Sequence, residues 1–282
     1  MPVRIVTDSS CDLPQELADQ LGIEIVPLSV RFGEEELVDR RELSTKEFWA
    51  RCARSAVLPE TAAPPPGEFE AAYRRLADQG ADGIVCVALS GALSATIQAA
   101  EVAAKAVAGD LAVRVVDSRS VTMGLGMMAV TAARLAADGR DLDTVATAVE
   151  DLVARTRVYG ALDTLDNLKK GGRIGGAQAA LGSLLSIKPV IEVRDGKVEP
   201  ESRQRTRTKA LAYLVDKVRQ QGRVENLAVM HADADDVDDF VARLGPLYDG
   251  EVVVGEIGPV IGTHAGRGAM GVVFQVRDGA QE

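Results

Sequence analysis

A chain of 282 residues with 46% hydrophobic content can bury a sizeable core and exceeds the usual size of one compact domain, so two domains are expected. A formal net charge of −10 counts against a nucleic-acid or anionic-membrane surface, and 4% aromatic content against a stacking platform for single strands. No uncharged apolar run reaches membrane-spanning length, and the start MPVRIVTDSS lacks the order of a signal peptide, so the expectation is a cytoplasmic protein without a membrane anchor. Cys11, Cys52 and Cys86 are odd in number and scattered, which suits buried reduced thiols better than a disulfide framework or a zinc site.

The first half alternates strand and helix patterns. VRIVTDSS is a β-branched run; Asp12 then stands where it would cap the helix DLPQELADQLG, with Pro14 in its first turn and Gly22 at its end. IEIVPLSV reads as the next strand. Ser44 and Glu47 form a capping box opening TKEFWARCARS. The proline-rich PETAAPPPG reads as a turn before the helix EFEAAYRRLADQ. Strand GIVCVALS, helix SATIQAAEVAAKAVAG, strand AVRVVDS and helix VTMGLGMMAVTAARLAADG follow, and a last helix spans 141–155.

Apolar strands separated by helices predict a parallel sheet covered on both faces, hence a three-layer α/β/α domain over residues 1–155. In such sheets ligands bind at the carboxyl ends of strands, which singles out Thr7 to Ser10, Ser90 to Ser94, and Asp117 with Ser118. In the second half RVYGALD, IKPVIEV, KVEPESR, NLAVMHA, EVVVGEI and MGVVFQV read as strands. Asp195 and Gly196 mark a hairpin, and helices TKALAYLVDKVRQQ and DDVDDFVARL intervene. A second α/β domain with a mixed sheet over 156–282 is expected.

Each candidate site residue has a plain structural use as well as a chemical one. Ser94 in LSGALSAT is an expected helix N-cap, and the same hydroxyl and helix end suit an anion. Thr61 stands before a rigid proline turn. His264, in the glycine-rich IGPVIGTHAGRGAMGV, follows a strand and a proline turn, and its flanking glycines permit close approach of a ligand. His231 ends a strand. The cluster Lys169, Lys170, Arg173, Arg203, Arg205, Arg207 and Lys209 is either a solvated face or a docking patch. Neither a P-loop nor G-x-G-x-x-G occurs at a strand-to-helix turn, and Ser94 is not in a nucleophile elbow, so no cofactor is expected.

Taken together, IVTDSSCDLP, VDRRELSTKEF, TAAP, LSGALSAT, VDSRSVTMGLG, LDNLKKGGRI and IGPVIGTHAGRG resemble, in order and over nearly the whole chain, the DegV family of bacterial fatty-acid-binding proteins. The resemblance implies two α/β domains and a long-chain fatty acid such as palmitate in an internal apolar tunnel. Its carboxylate would be held by Thr61 and Ser94 beside His264, with Ser9, Ser90, Thr96, Ser118 and Arg267 as further pocket candidates. It also implies a partner, an ATP-dependent fatty acid kinase, to which the carboxylate is presented before the acyl-phosphate goes on to phospholipid synthesis; Arg173 and Arg205 are the docking candidates. The family's T-S-Q-P stands here as Thr61, Ala62, Ala63, Pro64, its S-G-T as Ser94, Ala95, Thr96, and its G-P-G as Gly266, Arg267, Gly268. Each departure keeps the polar residue assigned to the ligand. A tail of about 16 carbons, at about 0.8 kcal/mol per buried methylene, supplies on the order of 11 kcal/mol gross, so neutral donors suffice for the head group.

Two other classes stay open on the sequence. A phosphotransfer enzyme related to dihydroxyacetone kinases would bind nucleotide or dihydroxyacetone. A serine hydrolase would combine Ser94 and His264 with an acid such as Asp117.

Overall fold

The computed structural model describes residues 2–55, 57–180 and 187–277. β1 (Val3–Asp8) runs through α1 (Gln15–Leu21) into β2 (Ile23–Val26). A small antiparallel sheet follows, made of β3 (Ser29–Phe32), β4 (Glu35–Val38) and, beyond α2 (Thr45–Arg54), β5 (Glu60–Ala62), in the order β4-β3-β5. α3 (Pro66–Asp78), β6 (Gly83–Ala88), α4 (Thr96–Val107) and β7 (Ala112–Asp117) then complete a parallel sheet in the order β2-β1-β6-β7. α5 (Met123–Ala137) and α6 (Leu142–Arg155) close this domain.

β8 (Thr156–Ala161), which enters the larger sheet, and the short α7 (Asp166–Lys170) follow. β9 (Lys188–Arg194) and β10 (Lys197–Gln204) form the expected hairpin, with Asp195 and Gly196 both at positive φ, as a two-residue turn of this twist requires. α8 (Arg207–Gln220), β11 (Val224–His231), α9 (Val237–Leu244), β12 (Val253–Glu256), α10 (Pro259–Ala265) and β13 (Met270–Val276) follow. The sheet order is β10-β9-β8-β13-β11-β12, antiparallel except for the parallel β11–β12 pair, so this sheet is mixed.

Strand alternation decides how the layers stack. On β1 and β6, Val6, Ile84 and Cys86 pack under α3 and α4, while Ile5, Val85 and Val87 face the opposite way. On the second sheet Val229, Val272 and Phe274 pack under α8 and α9, while Ala228, Met230 and Val273 face back toward the first domain. The two inward faces meet α5 and α6, which touch strands of both sheets. This accounts for the nearly all-apolar sequence of α5: buried from Met123 to Val130, it is covered from both sides instead of presenting a polar face. Cys11 and Cys86 lie buried and Cys52 half-buried; burial pushes their thiols up to about 12, 12 and 11. Among the described residues no helix is long and apolar enough to cross a membrane.

Several local expectations need correction. IEIVPLSV is two strands, not one, because Pro27 lacks the N–H that would continue the ladder and β3 departs into another sheet. PETAAPPPG is more than a turn: Thr61 pairs with Val30 on β5. Asp12 does not cap α1, whose N-cap is Pro14; it adopts a left-handed conformation and its Oδ1 accepts the Gly258 N–H from the other domain at 3.0 Å. Ser44 caps α2 as expected, but Glu47 turns to Arg51 instead of completing the capping box. α4 is capped by Ala95, one residue after Ser94, and Ser94 Oγ accepts the N–H of Thr96 at 3.3 Å. His264 is not on a loop; it lies in the last turn of α10.

Candidate functional site

α10 positions the histidine. Pro259 supplies a first-turn φ at no hydrogen-bond cost, and Gly262 lets the helix press on α2, since a Cβ there would stand 2.9 Å from the Phe48 and Trp49 rings. His264 then faces β5, where Nε2 lies 3.0 Å from Thr61 Oγ1. The ring is partly buried. Desolvation, and after it the positive charge of Arg173, depress the imidazole to about 4, so it is neutral near pH 7. Its Nδ1 is buried without a hydrogen-bond partner among the described residues.

Ser94 approaches from the loop after β6. Its Oγ lies 2.9 Å from Thr96 Oγ1 and borders the same cavity as Thr61 and His264. Arg173 comes from the glycine turn after α7. Its Nε donates to the Leu93 carbonyl at 3.1 Å and its Nη1 to the Gly171 carbonyl at 2.6 Å, so backbone oxygens fix the guanidinium across the domain junction. No carboxylate pairs with it among the described residues. A cation therefore stands in the wall, where the sequence reading asked only for neutral donors.

These four residues are the polar part of an otherwise apolar cavity of about 190 Å³. Leu28, Leu89 and Val121 wall it from the first domain, and Leu162, Ile191 and Val198 from the second. Thr61, Arg173 and His264 also line an outer depression of about 430 Å³ that includes Leu58, Asn167 and Lys170. The polar cluster thus separates an apolar interior from the surface. The arrangement suits an amphiphile with an apolar body inside and an anionic head at the partition.

The other residues singled out in the sequence lie elsewhere. Ser9 Oγ accepts the Leu28 N–H, Ser90 Oγ donates to the Gly196 carbonyl at 2.7 Å, Thr96 bonds Ser94, and Ser118 Oγ donates to the Ser120 carbonyl; all four are buried and none borders the cavity. Their hydroxyls satisfy loop groups at the strand ends, which explains polar residues there without a ligand. Arg267 is exposed and pairs with Asp233. Arg205 is exposed on the segment after β10, while Arg207 is held by Asp236 at 2.7 Å and is no part of an open basic face. His231 Nδ1 accepts the Ala234 N–H. No triad forms: Asp117 accepts the Gly91 and Arg119 amides, and His264 bonds Thr61 and not Ser94. No sequence signal marks Asn167, whose Nδ2 donates to the Thr263 carbonyl at 3.0 Å and ties α7 to α10, a role that only the fold reveals.

A family model described as "Uncharacterised protein, DegV family" matches residues 2–277. The chain is 41% identical to a DegV domain-containing protein of Streptomyces coelicolor over 98% of this chain and 99% of the relative. It is 42% identical to one of Mycobacterium tuberculosis over 98% of each. Among solved structures it is similar to a DegV family protein from Thermus thermophilus described for its fatty acid binding (TM-score 0.89, 36% identity, 98% of this chain and 100% of that one). It is also similar to DegV from Bacillus subtilis, described as a fatty acid binding protein (TM-score 0.86, 31% identity, 98% and 100%). A third similar structure is a stearic acid-binding protein from Eubacterium ventriosum (TM-score 0.88, 26% identity, 97% and 98%). With the match running through both domains, the chain belongs to the DegV family.

Proposed function

We propose that this protein, divided at residues 155 and 156, is a fatty acid carrier. The carboxyl-proximal part of an acyl tail lies in the apolar cavity, and the carboxylate meets Thr61, Ser94 and His264 with the Arg173 charge beside it. The single observation that carries this reading is the partition itself: neutral hydroxyls, a neutral imidazole and one guanidinium that no described carboxylate pairs stand where an apolar cavity meets the surface. The fatty acids described for the Thermus and Eubacterium relatives support it.

The protein acts without catalysis of its own. It presents the carboxylate through the outer depression to a separate ATP-dependent kinase in the cytoplasm and carries the acyl-phosphate onward for lipid synthesis. The accessible side of the polar cluster, with Lys170 and Arg173 at its rim, supports the presentation step. Arg205 is the second docking candidate.

Denaturing the purified protein and identifying co-purified lipid by mass spectrometry tests the carrier. Fatty acid at a near-stoichiometric level supports it. Absence of lipid together with no thermal stabilisation by added palmitate or oleate would end it. Incubation of the loaded protein with a fatty acid kinase and ATP tests the second half: an acyl-phosphate trapped by hydroxylamine is the expected product, and none forms if the partner is wrong.

A further inference from the structure

The two glycines before Arg173 have different reasons to be glycine. Gly172 has φ +70°, a left-handed conformation that disfavours a side chain, and a Cβ there would meet nothing within 4 Å. Gly171 has φ −74°, which any residue adopts. Yet a Cβ at Gly171 would stand 2.8 Å from His264 Cε1, closer still to Nδ1, and 3.1 Å from the Asn167 carbonyl oxygen. Gly171 is glycine for space, and the space is filled by the Nδ1 edge of the imidazole.

Among the described residues that edge faces no acceptor, because Nδ1 is buried and unpartnered. A neutral imidazole carries one N–H, and a buried N–H without an acceptor is rarer and costlier than a bare lone pair. The proton therefore belongs on Nε2, which faces Thr61 Oγ1. We propose that Gly171, by packing against His264 Nδ1, holds the imidazole as its Nε2–H tautomer. Nε2 then donates to Thr61 Oγ1, and the Thr61 hydroxyl proton is left free for an acceptor in the cavity. In the opposite tautomer Thr61 would donate to Nε2 and turn only lone pairs toward an anion. The choice of tautomer thus decides whether Thr61 attracts or repels a head group. The identity of that acceptor as a carboxylate rests on the fatty acid reading; the tautomer and the role of Gly171 as a positioning residue do not.

The test is long-range ¹H–¹⁵N NMR on the delipidated protein near neutral pH, with His264 signals assigned by their loss in His264→Ala; the chain has 2 histidines. The expected pattern is a protonated Nε2 and a pyridine-like Nδ1. A protonated Nδ1, or an imidazolium, overturns the proposal. Palmitate affinity supplies the second readout. Gly171→Ala should weaken it by roughly tenfold or more, through displacement of the ring, and by less than about twofold in a His264→Ala background, where the obstructing ring is gone. Equal losses in both backgrounds overturn the positioning role. If Gly171→Ala does not fold, the wild-type tautomer decides alone. If wild type binds no palmitate, the carrier reading fails while the NMR pattern still decides the tautomer.

Discussion

On the carrier reading, emptying the cavity of lipid is the perturbation with the most calculable outcome. The apolar cavity measures about 190 Å³. At about 24 cal/mol per Å³ of unfilled cavity, emptying it costs roughly 4 to 5 kcal/mol relative to a filled interior. For a chain of this size each kcal/mol moves the melting temperature by roughly 2 to 4 °C, so delipidated and refilled protein should differ by about 10 °C or more. The wall is drawn from both domains, so the loss falls on the junction as a whole. Differential scanning calorimetry of delipidated protein, with and without stoichiometric stearate, measures it. Val193→Phe, which fills the same space from β9, should raise the melting temperature of the delipidated protein, shrink its gain on adding stearate and weaken binding. A gain unchanged by Val193→Phe would mean that the lipid stabilises from another site; no gain in wild type would mean that this cavity holds none.

Four further outcomes follow from named contacts. Thr61→Val and Ser94→Ala should each weaken fatty acid binding by roughly 1 to 3 kcal/mol, the cost of an underpaired carboxylate, in isothermal titration. Charge reversal at Arg173 and Arg205 together should slow kinase-dependent acyl-phosphate formation; Arg205→Glu alone should do so with lipid still bound, and unchanged turnover would remove it from the docking surface. Ser90→Ala leaves the buried Gly196 carbonyl without its donor and should cost about 1 to 3 kcal/mol, lowering the urea midpoint without changing the slope. The pH dependence has opposing contributions. Desolvation raises Asp12 to about 7 and Asp39 to about 6, so the folded state holds extra protons from about pH 4 up to those values and gains stability on acidification through them. His264, depressed to about 4, acts the other way between about 6.5 and 4. Asp8, which burial also raises, adds to these two, and the acids outweigh one imidazole, so urea unfolding should show greater stability at pH 5.5 than at 7.5, and Asp12→Asn should reduce the difference; a fall on acidification would refute the balance.

The two-domain α/β architecture was legible because it rests on local periodicity. Runs such as GIVCVALS are apolar on both faces, and the structure covers both. The hairpin at Asp195 and Gly196 was legible for a similar reason: the turn needs two positive φ values, and those residues tolerate them. What escaped the sequence is long-range. Nothing local says that Asp12 reaches Gly258 instead of capping its own helix, or that Thr61 on a three-residue strand meets His264, 203 positions later. The strand-end hydroxyls show the converse: a local signal whose use in the fold is backbone bonding. Ser9, Ser90 and Ser118 stand where ligands bind in open sheets, yet they bond backbone groups: Ser118 in its own loop, Ser9 at Leu28, and Ser90 at Gly196 across the junction.

The same crossing of the junction explains why Arg173 had to be seen in place. In the sequence it sits in a basic run, and charge runs are ordinarily solvated. In the fold its donors go to carbonyls of Leu93 and Gly171, one from each domain, so its position is fixed while no described carboxylate cancels its charge. That charge also contributes to keeping His264 neutral, because a second cation beside it would be repelled. The partition consequently holds one fixed positive charge and a neutral hydrogen-bond chain. On the proposed reading, such a site attracts a monoanionic carboxylate without enclosing it in a full salt bridge, whose desolvation would have to be undone before the oxygen could react. It attracts a more highly charged acyl-phosphate more strongly still. The ranking of product above substrate at one guanidinium is what a carrier needs if loading by the kinase is to be followed by retention, and it predicts that Arg173→Lys, which keeps charge but loses the two-carbonyl anchor, preserves that ranking less well than wild type in competition between a fatty acid and a non-hydrolysable acyl-phosphate analogue.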